Sequence, residues 1–218
     1  MLHRLAKKAK RLLTGSPFPG SKQYWIERYE AGRTSGAGSY NELAEFKAEI
    51  INAFVVEHGI DSVMEFGCGD GNQLRLASYP SYTGFDVSPR AVELCRDIFR
   101  SDDKKRFLLM EEYAGQTAQL TLSLDVVYHL VEDDIFASYM ETLFAAAERF
   151  VILYSSNSEH REPDQARHVR HRNFTRWVDA NMADWVLIEY LANRHPQSAP
   201  DAQGSLADFY FYQKRSGG

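Results

Sequence analysis

The sequence predicts an α/β fold in which a mostly parallel sheet carries helices on both faces and an antiparallel hairpin at one edge. Short apolar runs of strand length alternate with stretches whose apolar residues recur at helical spacing. A glycine-rich turn, "EFGCGDG", follows the first of those runs. The last two runs, near the C-terminus, succeed one another without a helix between them, which lets them pair antiparallel.

The first thirteen residues, MLHRLAKKAKRLL, place Leu2, Leu5, Ala6, Ala9, Leu12 and Leu13 on one helical stripe and Arg4, Lys7, Lys8, Lys10 and Arg11 opposite. This basic amphipathic helix suits peripheral contact with an anionic membrane, or packing on protein. "TGSPFPG", residues 14 to 20, breaks it as a linker, so residues 1–20 stand apart from one domain at 21–218. In that domain Asn41–His58 reads as a helix, with Leu43, Phe46, Ile50 and Phe54 on its apolar face. Ser39 and Glu42 fit a capping box, and Gly59 supplies a C-terminal stop. Strands are expected at Ser62–Phe66, Ser81–Phe85, Arg106–Met110, Leu120–Leu124 and Val151–Tyr154, with helices at Ala91–Arg100 and Asp134–Arg149. Trp185–Leu191 and Leu206–Tyr212 complete seven strands.

Composition bounds the function. A chain of 218 residues, 44% hydrophobic with a formal net charge of -5, can bury one core and lacks the basic excess of a broad nucleic-acid footprint. Cys68 and Cys95 are too far apart for CxxC chemistry and no signal-peptide core is visible, so the expected setting is the cytoplasm, with the inner membrane surface as the one membrane contact.

The glycines at 67, 69 and 71 sit at the carboxyl end of the first strand of the alternating region, where open α/β sheets bind ligands. Bare main chain there can turn sharply and approach a small molecule. Asp86, ending the next strand in "YTGFDVSPRAVELC", is followed by Ser88 as a helix N-cap and Pro89 at the first helical position. An acid so placed accepts hydrogen bonds from ribose hydroxyls, so the ligand reads as a nucleoside derivative. The loop is ExGxGxG, not the GxGxxG of dinucleotide sites, and no GxxxxGK[ST] phosphate loop occurs.

"EFGCGDG", "GFDVSP" and "LSLDVVYHLVEDD", in this order, resemble the class I S-adenosylmethionine-dependent methyltransferases over about residues 22 to 213. The resemblance implies a Rossmann-like seven-stranded sheet and S-adenosyl-L-methionine as cofactor, with S-adenosyl-L-homocysteine as product. "YWIERY", which contains Tyr24, and "SYNELAEFK" then resemble the helical cap over the cofactor. By the same resemblance Glu65 supports the loop, Gly67, Cys68 and Gly69 face the methionyl part, and Asp86 with Val87 holds the ribose. Glu112 and Tyr113, beside Glu111, frame the adenine, and the backbone near Ser123 and Leu124 receives the amino-acid end. Two departures stand out: Gln119 replaces the acid usual where the fourth strand begins, and the usual "KPGG" turn is "FAAAERFVILYSS" here.

Methyl transfer from a sulfonium is an in-line displacement, so positioning supplies much of the rate, and a base is needed only for a neutral hydroxyl or a protonated amine. His129 is the first candidate base and Asp125 the second, with Tyr128 beside them. The stretch "EHREPDQARHVRHRNFTRW" gathers His168, Arg170 and Arg172, whose donors suit an anionic or sugar-containing acceptor. No cysteine joins His168 and His171, and no metal site is read. The leading expectation is therefore O-methylation of a polar small molecule or glycan. A nucleic-acid or protein methyltransferase is the second reading; the acidic pI of 5.8 and the lack of an NPPY-type motif weigh against it. A cofactor-binding protein without catalysis is the third.

Overall fold

The computed structural model describes residues 18–159, 165–197 and 204–215. The basic amphipathic stretch at 1–13 and most of the linker lie outside them. No helix among the described residues is long and apolar enough to cross a membrane.

Seven strands form one sheet: β1 (Val63–Phe66), β2 (Tyr82–Asp86), β3 (Lys105–Leu109), β4 (Ala118–Leu124), β5 (Ala147–Ser155), β6 (Trp185–Leu191) and β7 (Asp208–Lys214). Their spatial order is β3-β2-β1-β4-β5-β7-β6. The first five run parallel, and β7 lies antiparallel to both β5 and β6. The order reverses between β1 and β4, and open α/β sheets bind ligands at the carboxyl ends of the strands at such a switch point.

The helices are α1 (Ser21–Glu30), α2 (Asn41–Glu57), α3 (Pro89–Ile98), α4 (Asp133–Ala145) and α5 (Phe174–Asn181). Alternation along β5 shows how they cover the sheet. Phe150, Ile152 and Tyr154 point to the side of α2 and α3, meeting Phe54, Val92 and Cys95. Val151 and Leu153 point to the side of α4 and α5, meeting Met140, Leu143 and Val178. Each such fully buried aliphatic side chain contributes about 1.5–3 kcal/mol.

Local signals account for several ends. Ser88 Oγ accepts the Ala91 N–H at 3.3 Å, with Pro89 in the first turn of α3. Helix α2 stops at Gly59, whose φ of 57° lets Ile60 N–H reach Val55 O at 2.9 Å and Gly59 N–H reach Val56 O at 3.3 Å.

Elsewhere tertiary contacts override the local pattern. The expected capping box does not form: Tyr40 is the N-cap of α2, without a side-chain cap bond. Its hydroxyl is drawn instead to Asp70 at 2.9 Å, and the Ser39 carbonyl accepts from Asn72 Nδ2 at 2.7 Å. The helix expected to reach Arg149 ends at Ala145, because Ala147 already pairs with Ala118 and begins β5. Strand β7 starts at Asp208, two residues later than its apolar run suggests, and Leu206 is exposed. Asp208 is held by the strand partner side, accepting from Tyr190 OH at 2.9 Å and Asn193 N–H at 2.8 Å.

Candidate active site

At the end of β1 the chain turns through Gly67, whose N–H and that of Cys68 both donate to Phe85 O, at 2.7 and 3.0 Å. Gly67 has a φ of 90°, and a Cβ there would lie 2.5 Å from Val126 Cγ2. A Cβ at Gly69 would lie 2.4 Å from Ser35 Oγ. The loop is therefore bare toward β4 at one glycine and toward the cap at the other. Behind it, the Cys95 thiol donates to Gly69 O at 3.2 Å.

Asp86, at the end of β2, is buried and binds this loop directly. Its Oδ2 accepts the Gly69 N–H at 3.0 Å and its Oδ1 the Ser88 N–H at 2.9 Å. Burial pushes its pKa up to about 6, with the main-chain N–H groups pulling the other way. Glu65 is buried on β1 and accepts from Tyr82 OH at 2.6 Å; burial raises its pKa to about 7, with Tyr82 and Lys47 opposing.

At the end of β4, Asp125 adopts a φ of 60°, in the left-handed region. Its Oδ2 meets Lys47 Nζ at 2.6 Å and its Oδ1 accepts from Tyr128 OH at 2.8 Å. His129 Nδ1 lies 2.9 Å from the His168 carbonyl oxygen. A carbonyl can only accept, so Nδ1 carries the hydrogen and Nε2 keeps a free lone pair. Packing around the imidazole lowers its pKa to about 4, the His168 carbonyl opposing in part.

The cap closes over these strand ends. Ser21, at the start of α1, donates from its N–H to Glu132 Oε1 at 2.9 Å and from Oγ to Oε2 at 2.6 Å; Val131 N–H in turn donates to Ser21 Oγ at 2.9 Å. A second tie is made by Asp70, whose Oδ2 accepts from Ser35 N–H at 2.8 Å and from Tyr40 OH.

Together they enclose a cavity of about 380 Å³. Of the residues expected from sequence, Glu65, Gly67, Cys68, Gly69, Asp86, Val87, Leu124, Asp125 and His129 line it. The others take different places. Tyr24 stacks on His168 with centroids 4.3 Å apart, and it is Trp25 and Tyr29 of α1 that face the cavity. Glu112 turns back to accept Leu109 N–H at 2.6 Å, while its neighbour Glu111 lines the wall. Tyr113 packs edge-on against Phe66 and Phe85. Ser123 is buried, 2.7 Å from the hydroxyl of Tyr139, which lines the cavity. Tyr128 stands behind Asp125.

His168, Arg170 and Arg172 do not line the cavity either. The Arg170 guanidinium donates to Val131 O at 2.9 Å and pairs with Asp133 at 3.1 Å. Arg172 donates to Leu130 O at 3.2 Å and Val131 O at 2.9 Å, pairs with Asp133, and lies over the Phe136 ring. Both fasten their loop to the segment after β4.

The residues that sequence reasoning missed left traces. Ser21, Lys22, Trp25 and Tyr29 share one helical face of α1, from which Tyr24 is turned away. Lys47 sits inside the apolar stripe of α2, four residues from both Leu43 and Ile51, where a cation needs a partner.

Among solved structures, the N-methyltransferase NodS from Bradyrhizobium japonicum WM9, in complex with S-adenosyl-L-homocysteine, matches with a TM-score of 0.66 at 13% identity. The match covers 90% of this chain and 100% of that one. The fold is that of class I methyltransferases. Magnesium protoporphyrin IX methyltransferase from Synechocystis PCC 6803, with bound S-adenosylmethionine, matches with a TM-score of 0.64 at 14% identity, over 92% and 100% of the two chains. The methyltransferase domain of the bacterial protein CtHen1 gives 0.62 at 19%, over 79% and 98%. No family model matches the sequence, and no curated protein matches it significantly. In this methyltransferase fold the cavity occupies the crevice where the strand order reverses.

Proposed function

We propose that this protein is an S-adenosyl-L-methionine-dependent methyltransferase that acts on a hydroxyl group of a small molecule. The observation that carries the reading is the bond between Asp86 and Gly69 at the cavity wall, which joins a ribose-type acid to a glycine loop bare enough for a close ligand. Each Asp86 oxygen uses one acceptor position on the main chain and keeps another for a ribose hydroxyl. Gly67, Gly69 and Leu124 would pass beneath the cofactor's thioether end, and Met110 and Glu111 flank the side reserved for adenine. Bound there, the cofactor supplies an activated methyl group.

His129 supplies the proton acceptor. Its Nδ1–H is committed to His168, so Nε2 is the nitrogen left for an acceptor hydroxyl. Asp125 serves less well as a base because Lys47 and Tyr128 already occupy both its oxygens. Trp25 meets the His129 ring edge-on with centroids 4.9 Å apart, and Leu130 and Ile135 line the same cavity. The anionic or sugar acceptor suggested by the sequence drew on Arg170 and Arg172, which have other partners. We therefore favour an acceptor with an apolar body next to its hydroxyl.

Calorimetry with S-adenosylhomocysteine tests the cofactor reading: wild type binds and Asp86→Ala does not, whereas preference for a nicotinamide dinucleotide overturns it. Transfer of labelled methyl to simple phenols, and not to monosaccharides, RNA or protein, tests the acceptor. Cofactor binding with no transfer to any of these favours a non-catalytic binder. For residues 1–13 we propose, from sequence alone, contact with anionic membrane; the full chain then cosediments with anionic vesicles at low salt and a chain starting at Gly20 does not.

A further inference from the structure

Three rings from three separate parts of the chain lie nearly parallel beside the cavity. Tyr24 of α1 stacks on His168 with centroids 4.3 Å apart and planes at 12°, and His168 stacks on His129 at 5.3 Å and 16°. The middle residue also supplies the oxygen that fixes the base, since His168 O accepts from His129 Nδ1 at 2.9 Å. That carbonyl is aimed by bonds of its own loop. Val169 N–H donates to Ala166 O at 2.9 Å, closing a turn that contains His168, and Arg170 N–H donates to Tyr128 O at 2.7 Å, next to His129 in the chain. Tyr24 is held in turn by Phe18, 6.1 Å away, and by Trp25 at 5.6 Å.

A neutral imidazole in water carries its hydrogen mainly on Nε2, so a tautomer with its lone pair there persists only while Nδ1–H has an acceptor. The acceptor here belongs to a loop whose His168 ring is packed from the cap by Tyr24. Both imidazoles are held neutral. Burial lowers the pKa of each, Arg28 of α1 adds to it in both, and at His129 the His168 carbonyl and Asp125 oppose. Neutral rings stack without charge repulsion, and Tyr128 packs beside His129 at 4.5 Å.

We propose that Tyr24 and His168 are positioning residues for methyl transfer: their stack holds the carbonyl that keeps hydrogen on His129 Nδ1, and so makes the proton acceptor depend on the docking of α1. The inference rests on the reading of His129 as the base and adds two residues that act through it. With α1 away, Nδ1–H exchanges its hydrogen with water and Nε2 gains one, which blocks the nitrogen left for the acceptor hydroxyl.

Nitrogen-15 NMR of the imidazoles in the full chain reads the tautomer without any acceptor, the His129 signals being those absent from His129→Ala. Wild type should show a protonated Nδ1, an unprotonated Nε2 and a pKa of about 4. Tyr24→Ala should show hydrogen shared between the two nitrogens and a pKa moved toward the ordinary 6.5. Its S-adenosylhomocysteine affinity should stay within about threefold of wild type, while kcat with a simple phenol falls about tenfold, part of what a positioned base contributes. Tyr24→Phe keeps the ring and should restore tautomer, pKa and kcat. His168→Ala keeps the carbonyl and removes the middle ring, so it should reproduce Tyr24→Ala, and it decides alone if Tyr24→Ala fails to fold. A wild-type tautomer and pKa retained in either alanine variant overturn the proposal. Loss of cofactor affinity in step with kcat in Tyr24→Ala overturns it too, because Tyr24 then only holds α1 in place. Failure of wild type to bind S-adenosylhomocysteine overturns the proposed function itself.

Discussion

The Asp86 carboxylate accepts the main-chain N–H of Gly69 at 3.0 Å, so the ends of β1 and β2 are joined at the wall of the cavity. This bond aligns the glycine loop with the acid proposed to hold a ribose, and burial of that acid has a consequence for pH. Its pKa, raised to about 6, makes the carboxyl protonate in the free protein at mildly acidic pH. Ribose hydroxyls donate to the ionised form, so S-adenosylhomocysteine affinity should be full above pH 7 and fall by up to about tenfold per unit below pH 6. Calorimetry at pH 5, 6 and 7.5 measures this. A constant affinity across that range contradicts the assignment.

The close approach of β4 to the loop gives a steric prediction. Gly67→Ala puts a methyl 2.5 Å from Val126 Cγ2 at a φ of 90°. Gly115 has a similar φ, 87°, but open space around it. Gly115→Ala should therefore cost only the left-handed penalty of about 1–2 kcal/mol and spare cofactor binding. Gly67→Ala should cost more and abolish cofactor binding. Denaturant unfolding and calorimetry on the two variants separate strain from clash, and intact binding in Gly67→Ala excludes the proposed role of the loop.

How far the sequence revealed the molecule depended on whether a feature was local. The seven strands, their mostly parallel sense and the antiparallel hairpin at one edge follow from the alternating periods, and Ser88 and Gly59 act through bonds within a few residues of themselves. Tyr40 at the start of α2 was not legible, because what places it is Asp70, thirty residues away. In the site, Asp86, Gly67 and Gly69 were readable since strand ends fix them. Which face of α1 meets the cavity was not: Tyr24 and Trp25 are adjacent and both aromatic, and the stack of Tyr24 on His168 comes from a loop far along the chain. Arg170 and Arg172 were expected near a ligand, and their pairing with Asp133 could not be read because Asp133 lies on another element.

The tie between Ser21 and Glu132 should set how long the cap stays closed. Glu132 receives both the N–H and the hydroxyl of Ser21, and Gly20 leaves just enough room, its hypothetical Cβ lying 3.0 Å from Glu132 Oε1. Glu132→Gln loses the charge and one acceptor oxygen. Release of S-adenosylhomocysteine, followed by stopped-flow fluorescence, should quicken by about 5- to 30-fold, consistent with one or two weakened charged hydrogen bonds. An unaltered release rate means that α1 does not gate the cavity.

His129 yields the prediction that most directly concerns catalysis. Its Nδ1–H is fixed on the His168 carbonyl, and its pKa is lowered from the usual 6.5 to about 4 by the packing around the ring. The neutral form is thus the resident form throughout pH 5 to 8, with Nε2 ready to accept a proton. So weak a base suits a transfer that occurs late, when the acceptor oxygen is already bonding to carbon and its proton has become acidic. The acid limb of kcat assigned to His129 should then lie near pH 4 in place of pH 6.5, while His129→Ala should lower kcat by about 100-fold or more and leave cofactor affinity unchanged. Stability carries the same sign: the folded pKa is below the unfolded one, so this group's contribution is complete above pH 6.5 and is lost as pH falls toward 4. Urea unfolding at pH 7 and pH 5 should show wild type losing more stability than His129→Ala over that interval. A kcat limb near 6.5 that disappears in His129→Ala would show instead that the imidazole is solvated during turnover; equal losses of kcat and cofactor affinity would reduce His129 to a wall of the cavity.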